Sequence, residues 1–389
     1  MARHYLDHAS TSPPRPEVLD AMAAWFERSR AGAAGSGAVG FADPGRIHAE
    51  GMAARVEIEE GREQVAAFLG ARSREVVFTS GATESIATAI WGAAPRGTEL
   101  VVPAIEHSAV REAAAALVEA GTHRVVTIGV DGRGKVDPAE VVAAIGPETA
   151  LVNLQWANHE VGTRQPVAEV VAACREREVL VHVDAAAAVG HDPLDFRGLG
   201  ADLVSVAGHK FGGPPGIGVL LVRRGVRLRS LLRGGDQERA RRAGLENTPA
   251  ILGLAAACAA LDDGRLEAEA ERQRALTDRI LRAVATKGTL AGVRTYGDPT
   301  DRVPHIVCLG IDGIEPQAVL LGLDQAGVAA HSGSACSSEA LEPSPVLEAM
   351  GVDAHRSLRL SVGWSSTDDD VTAALATLPG VLASLRALR

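Results

Sequence analysis

Four residues in this chain have the type and the setting to do chemistry. Cys336 stands in HSGSACSS (331–338), among serine, alanine and glycine. A core cysteine has apolar neighbours and a disulfide needs a partner, and this thiol has neither. Asp184 closes the apolar run VLVHVDA (179–185). A carboxylate at the end of a buried strand needs a cationic partner or strong donors. Lys210 follows the next apolar run, in SVAGHKFGG, where Gly212 and Gly213 let the backbone turn sharply behind it. A lysine in a crowded strand-end loop has its pKa lowered and serves as an amine nucleophile. His107, in AIEHSAV, sits in a further strand-end loop.

One more stretch completes the set. FTSGATES (78–85) ends a strand and opens a helix. Gly81, Ala82 and Thr83 there offer backbone N–H groups and a hydroxyl at a helix N-terminus, a ready anion site. An anion site, a buried carboxylate and a strand-end lysine together describe pyridoxal 5′-phosphate. The lysine carries it as a Schiff base, the carboxylate keeps its ring nitrogen protonated, and the helix end holds its phosphate.

The elements that must position these residues alternate. Apolar, β-branched runs recur at 75–80, 99–104, 123–130, 150–156, 179–185, 202–208 and 217–223, with Ala- and Glu-rich helical patterns between most of them. Near-continuous apolar strands separated by helices predict an α/β fold: a mostly parallel, seven-stranded sheet covered on both faces. Such sheets bind ligands at the carboxyl ends of their strands. After about residue 245 the pattern changes. A long helical stretch, ILGLAAACAALDDGRLEAEAERQRALTDRILRAVATKG, precedes short strands at HIVCLGI, GVAAHSG and SLRLSVG. TDDD (367–370) reads as a capped helix start. The expected division is a large domain over 15–245 and a smaller α+β domain over 246–389, joined by the N-terminal 1–14 and carrying Cys336.

Composition narrows the partners. A net charge of −10 argues against a nucleic-acid or anionic-membrane surface. Arginines do cluster at 223–242, which reads equally as a solvated connection or as a local anion or partner site. No apolar signal region opens MARHYLDHAS and no run is long enough to span a bilayer, so a cytoplasmic location is expected. Cys174 and Cys258 lie in Ala-rich helical patterns and Cys308 in an apolar strand, so all three read as small buried hydrophobes. No C-x-x-C pair points to zinc or a redox motif, and no metal is expected.

The chain resembles a cysteine desulfurase of the class V aminotransferase type along essentially its whole length. YLDHASTSPPRPEVLDAM, DPGRIHAEG, FTSGATES, EHSAV, ANHEVGTRQP, HVDAA, GHKFGGPPGIG, GLENTPAILGL, SGSACSS and SLRLSVG occur in the family's order. The resemblance implies the pyridoxal-phosphate transferase fold type I, a homodimer, and L-cysteine as substrate. It places Ala82, Thr83, His107, His159, Asp184, His209 and Lys210 around the cofactor, with His107 stacked on the ring and Lys210 bonded to it. It gives Arg359 and Asn158 to the substrate. It makes Cys336 the thiol that takes sulfur and passes it to an acceptor protein, as in the branch serving iron–sulfur assembly and tRNA thiolation. Small residues around Cys336 would then permit the excursion from cofactor to acceptor.

Several positions depart from the family. Its second Asn before Glu is His159 here, its Gln three residues after the Asp is Ala187, its Ser three before the lysine is Ala207, and its Thr after Gly is Leu245. Each family residue replaced contacts the cofactor, so weakened cofactor affinity is expected. Two other functions are compatible with these residues. One is a related lyase acting on selenocysteine or another β-substituted amino acid. The other is a sulfur-relay or scaffold protein that keeps the fold and Cys336 with little cofactor.

Overall fold

The chain opens on a two-residue strand, β1 (His4–Tyr5), and runs on into helix Pro16–Ala33 and helix Ala49–Phe68. The computed structural model describes residues 3–33, 41–286, 288, 290–332 and 343–388. The seven apolar runs of the sequence form β2 (Val76–Thr79), β3 (Glu99–Pro103), β4 (Arg124–Ile128), β5 (Thr149–Gln155), β6 (Leu180–Asp184), β7 (Leu203–Ala207) and β8 (Gly218–Val222). They lie in one sheet in the order β2-β8-β7-β6-β5-β3-β4. β8 is antiparallel to both neighbours and every other pair is parallel. The mostly parallel seven-stranded sheet expected from the sequence is therefore the sheet observed.

Alternation along the strands fills two cores. In β8, Val219 and Leu221 join the core on one face, while Leu220 and Val222 join the core on the other. Helices Ala82–Ala93 and Ser108–Glu119 cover the second face through Ile86, Ile90, Val110 and Leu117. Helix Ala49–Phe68 and helix Thr248–Ala259 pack on the first, burying Ile58, Val65, Ile251 and Leu254. Helix Thr248–Ala259 lies beyond the expected division at residue 245, yet its buried face belongs to this large core.

The smaller lobe has its own core. β9 (Val293–Tyr296), β10 (Ile306–Ile311) and β12 (Ser357–Ser361) form an antiparallel sheet in the order β12-β10-β9. β11 (Val328–Ala329) pairs in parallel with β1, tying the chain start to this lobe. Helices Arg265–Ala285 and Asp368–Ala387 bury Leu276, Ile280, Leu378 and Leu382 against it. TDDD opens the last helix as expected, with Asp370 accepting from the Thr367 amide at 2.8 Å. The long helical stretch is corrected: it is two helices. Asp263 (φ 58°) and Gly264 (φ 80°) are left-handed, which ends one helix and redirects the chain before Arg265.

Cys174, Cys258 and Cys308 are buried, as their patterns require. Many arginines of the 223–242 segment are paired locally, Arg223 with Asp202, Arg239 with Glu59 and Arg242 with Glu84, while Arg229 stacks on Trp91. Among the described residues no helix is long and apolar enough to cross a membrane.

Candidate active site

A cavity of about 500 Å³ opens at the carboxyl ends of β2, β3, β5, β6 and β7. Asp184 is the last residue of β6, and its Oδ1 accepts from the Ala186 amide at 3.0 Å. Burial raises its pKa, and the nearby Lys210 opposes that. Behind it lies Glu106, 1% exposed, whose Oε1 accepts from the Gln155 amide at 2.8 Å. Burial and the neighbouring Asp184 push Glu106 up to about 8. Glu106 therefore keeps its proton at pH 7. Glu106 stands beside His107 in AIEHSAV, where only its depth in the fold reveals it.

Lys210 lies on the short turn Gly208–Phe211 that follows β7. Gly212 (φ 90°) ends that turn, and a side chain on Gly213 would meet the Gly208 carbonyl at 2.7 Å. Burial, with Arg359 nearby, lowers Lys210 to about 8. Its free amine therefore predominates above that pH rather than above the ordinary 10.5. A group that must condense with the Lys210 amine should do so faster as pH rises and level off just above about 8. Stopped-flow absorbance of apo-protein mixed with pyridoxal phosphate measures this. In Arg359→Gln the midpoint should move upward, because a nearby positive charge is gone. A rate still climbing through pH 10 in the parent protein would contradict this account.

His107 caps helix Ser108–Glu119, its Nδ1 accepting from the Ala109 amide at 3.1 Å. Burial, then Lys210, push it down to about 4, so the ring is neutral at pH 7 and its proton sits on Nε2. His159 packs edge-on against it at 4.9 Å between ring centres. Burial holds His159 well below the usual imidazole range, and its buried Nδ1 has no partner among the described residues. Ala82 and Thr83 line the cavity at the start of helix Ala82–Ala93, where Gly81 provides no side-chain cap. The first N–H groups of that helix therefore face the cavity with no side-chain cap from Gly81. His209 also lines it, with Nδ1 3.1 Å from Thr11 Oγ1. Arg359, on β12 of the small lobe, reaches the same cavity though it is 2% exposed.

Asn158, expected at the substrate, does not line the cavity. Its Nδ2 donates to the Ile105 carbonyl at 3.2 Å, and its Oδ1 accepts from the Glu160 and Val161 amides at 2.8 and 2.9 Å. The side chain holds the loop after β5 in shape, and it is the next residue, His159, that faces inward. Cys336 lies outside the described residues. Ala187 and Ala207 line the cavity, so two of the departures fall on its wall. Leu245 is 63% exposed and lines a neighbouring groove with Ser80 and Gly216.

The sequence reading left Ala9 and Ser10 unassigned, yet both line the cavity. The N-terminal segment lies along the lysine turn. Ser12 Oγ donates to the Lys210 carbonyl at 2.9 Å, the Ser12 amide to the His209 carbonyl at 3.0 Å, and the Arg15 amide to the Gly212 carbonyl at 2.9 Å.

The comparisons with known proteins agree with this arrangement. The aminotransferase class-V family model matches residues 4–374. The chain is 40% identical to a cysteine desulfurase of Gluconacetobacter diazotrophicus, covering 98% of this chain and 94% of that one. It is also 40% identical to an IscS-like cysteine desulfurase of Mycobacterium tuberculosis, covering 98% and 97%. Among solved structures, a NifS-like protein superposes with a TM-score of 0.87 at 30% identity, covering 98% of this chain and all of that one.

Proposed function

Because the chain belongs to the class-V aminotransferase family, and within it to the cysteine desulfurases, we propose that it takes sulfur from L-cysteine, releases L-alanine and leaves a persulfide on Cys336. Its cofactor is pyridoxal 5′-phosphate. The observation that carries the reading is one cavity faced by Lys210, Asp184 and Arg359 from both lobes. The cavity fits the cofactor. It offers an amine, a carboxylate behind it, the start of a helix, and His159 on its wall. Bound there, pyridoxal phosphate supplies an electron sink for the substrate's Cα.

The protein's own residues have separable tasks. Asp184 is placed to hold the ring nitrogen protonated. Ala82, Thr83 and His209 are placed for the phosphate. Lys210 Nζ holds the cofactor and, once released, takes the Cα proton, a task suited to an amine near neutrality. Arg359 receives the substrate carboxylate. His107 presents Nε2–H toward the cavity, so it donates in the resting state. It takes up a proton only by charging a ring that burial keeps neutral. The Cys336 thiolate attacks the substrate sulfur, forming an S–S bond as the S–Cβ bond breaks; that bond's electron pair stays with the carbon skeleton, which takes a proton at Cβ, regains one at Cα and leaves as alanine. A sulfur-acceptor protein then takes the outer sulfur.

A second copy of the chain is part of this reading. Leu19, Phe26, Met52 and Val56 are exposed on helices Pro16–Ala33 and Ala49–Phe68, close in the chain to exposed Phe41 and Ile47. Scattered exposed apolar residues are ordinary, but this many on two successive helices supports a covered dimer face. The test of the reading is borohydride reduction of the purified, loaded protein, followed by peptide mapping. Cofactor fixed to Lys210 is the expected result, and cofactor on any other lysine overturns it.

The altered wall gives a further prediction. Ala187→Gln with Ala207→Ser restores donors where the family has them. Each charge-assisted bond could contribute about 1.5–3 kcal/mol. The double variant should therefore bind pyridoxal phosphate more tightly than the parent when both apo-proteins are titrated in one buffer. Unchanged or weaker binding by a folded variant would mean that His159 and its neighbours already satisfy the cofactor.

A further inference from the structure

Arg359 is held by the protein itself in a way that resembles how it would hold a ligand. Its Nη2 donates to Asp7 Oδ1 at 3.0 Å and to Ser10 Oγ at 2.7 Å, and its Nη1 donates to the His159 carbonyl at 2.8 Å. Ser10 Oγ in turn donates to Asp7 Oδ1 at 2.9 Å, which closes a triangle around one carboxylate oxygen. Arg359 Nε is buried with no partner among the described residues. A buried guanidinium without a counter-charge is costly, and Asp7 supplies that charge. Lys210, the other cation of the cavity, is acted on by both members of the pair.

Asp7 itself does not line the cavity. It sits on the N-terminal segment rather than in the core of either lobe, its side chain is 18% exposed, and Arg359 is the deeper partner. The segment is tied on both sides of it. Before it, the Leu6 amide donates to the Ala329 carbonyl at 2.9 Å; after it, the Ala9 amide donates to Ser361 Oγ at 2.9 Å.

We infer that Asp7 is an internal stand-in for the substrate's α-carboxylate: it neutralises and orients Arg359 in the empty site, and the incoming amino acid must take the guanidinium from it. Asp7 is thus a positioning residue that also sets affinity, since it touches Arg359 and not the reacting atoms. The inference rests on Arg359 receiving the substrate carboxylate. It adds that the enzyme's affinity for amino acids is held down by its own aspartate. Because the competition is between two carboxylates, a ligand without one should not feel it.

The test uses the holoenzyme and two probes, L-alanine and L-alaninamide, titrated into parent and Asp7→Asn protein by calorimetry. Asp7→Asn should bind L-alanine about fivefold more tightly or better, the scale of losing one partly buried competing charge. Its KM for cysteine should fall with no rise in kcat. Its affinity for L-alaninamide should match the parent's, and its ligand-free melting temperature should drop. A merely structural aspartate would weaken both probes together, and that result, or unchanged L-alanine affinity, overturns the inference. Arg359→Gln separates the layers. If it weakens L-alanine while Asp7→Asn does nothing, Arg359 keeps its role and the stand-in falls. If it leaves L-alanine affinity unchanged, both fall. Should Asp7→Asn not fold, Ser10→Ala loosens the same triangle, and a smaller gain for L-alanine alone is required of it; none overturns the inference.

Discussion

Replacing Cys336 by serine is expected to abolish persulfide formation while leaving the cofactor attached to Lys210. The argument rests on what the other thiols cannot do. The chain has four cysteines, and the three besides Cys336 are buried. Burial pushes Cys174 up to about 12, and it raises Cys258 and Cys308 as well. At pH 7 a thiol with a pKa of 12 is thiolate in about one molecule in 10⁵, and the thiolate is the nucleophile. None of the three lines the cavity. The variant should therefore keep its cofactor absorbance and still change spectrum when cysteine is added, yet carry no extra sulfur by mass spectrometry. Sulfide release at the parent rate without an added thiol would show that the cysteine is dispensable.

Lys210→Ala is expected to lower alanine production by about a thousandfold or more, the range a lost general base alone would give, with loss of cofactor attachment added. The fold should survive. The hydrogen bonds that fix the turn run from Ser12 to the Lys210 carbonyl and from Gly213 to the Gly208 carbonyl, all through backbone oxygen, and the substitution leaves them in place. Removing a buried amine also removes a desolvated cation. Circular dichroism and melting should thus match the parent or exceed it while turnover collapses. Near-normal turnover in a folded Lys210→Ala protein would refute the assignment of both roles to this residue.

Much of this site was legible because it sits where chain pattern and chemistry coincide. Asp184 ends an apolar run and Lys210 follows the next, so strand-end position could be read directly from VLVHVDA and DLVSVAGHK. The seven strands were legible for the same reason, since residues buried on both faces leave near-continuous apolar runs. The misreadings came where local pattern was indifferent to tertiary choice. Asn158 and His159 are adjacent polar residues in one loop, and the bonds of Asn158 to the Ile105 carbonyl and to the Glu160 and Val161 amides leave His159 on the cavity wall. The helical stretch after residue 250 keeps its composition through a turn made by Asp263 and Gly264, a break that DDG hints at without fixing. The clamp of Asp7, Ser10 and Ser12 on Arg359 and Lys210 spans the chain from start to end, and no spacing in HASTS could announce it.

The most direct test of the central claim is a single-turnover experiment with L-cysteine and no added reductant or acceptor. Alanine is quantified, and the sulfur is located by peptide mass spectrometry. The account predicts one alanine per cofactor-bearing protomer and one extra sulfur atom on the Cys336 peptide, with none on those of Cys174, Cys258 or Cys308. Alanine without sulfur on Cys336, or pyruvate in its place, would contradict it.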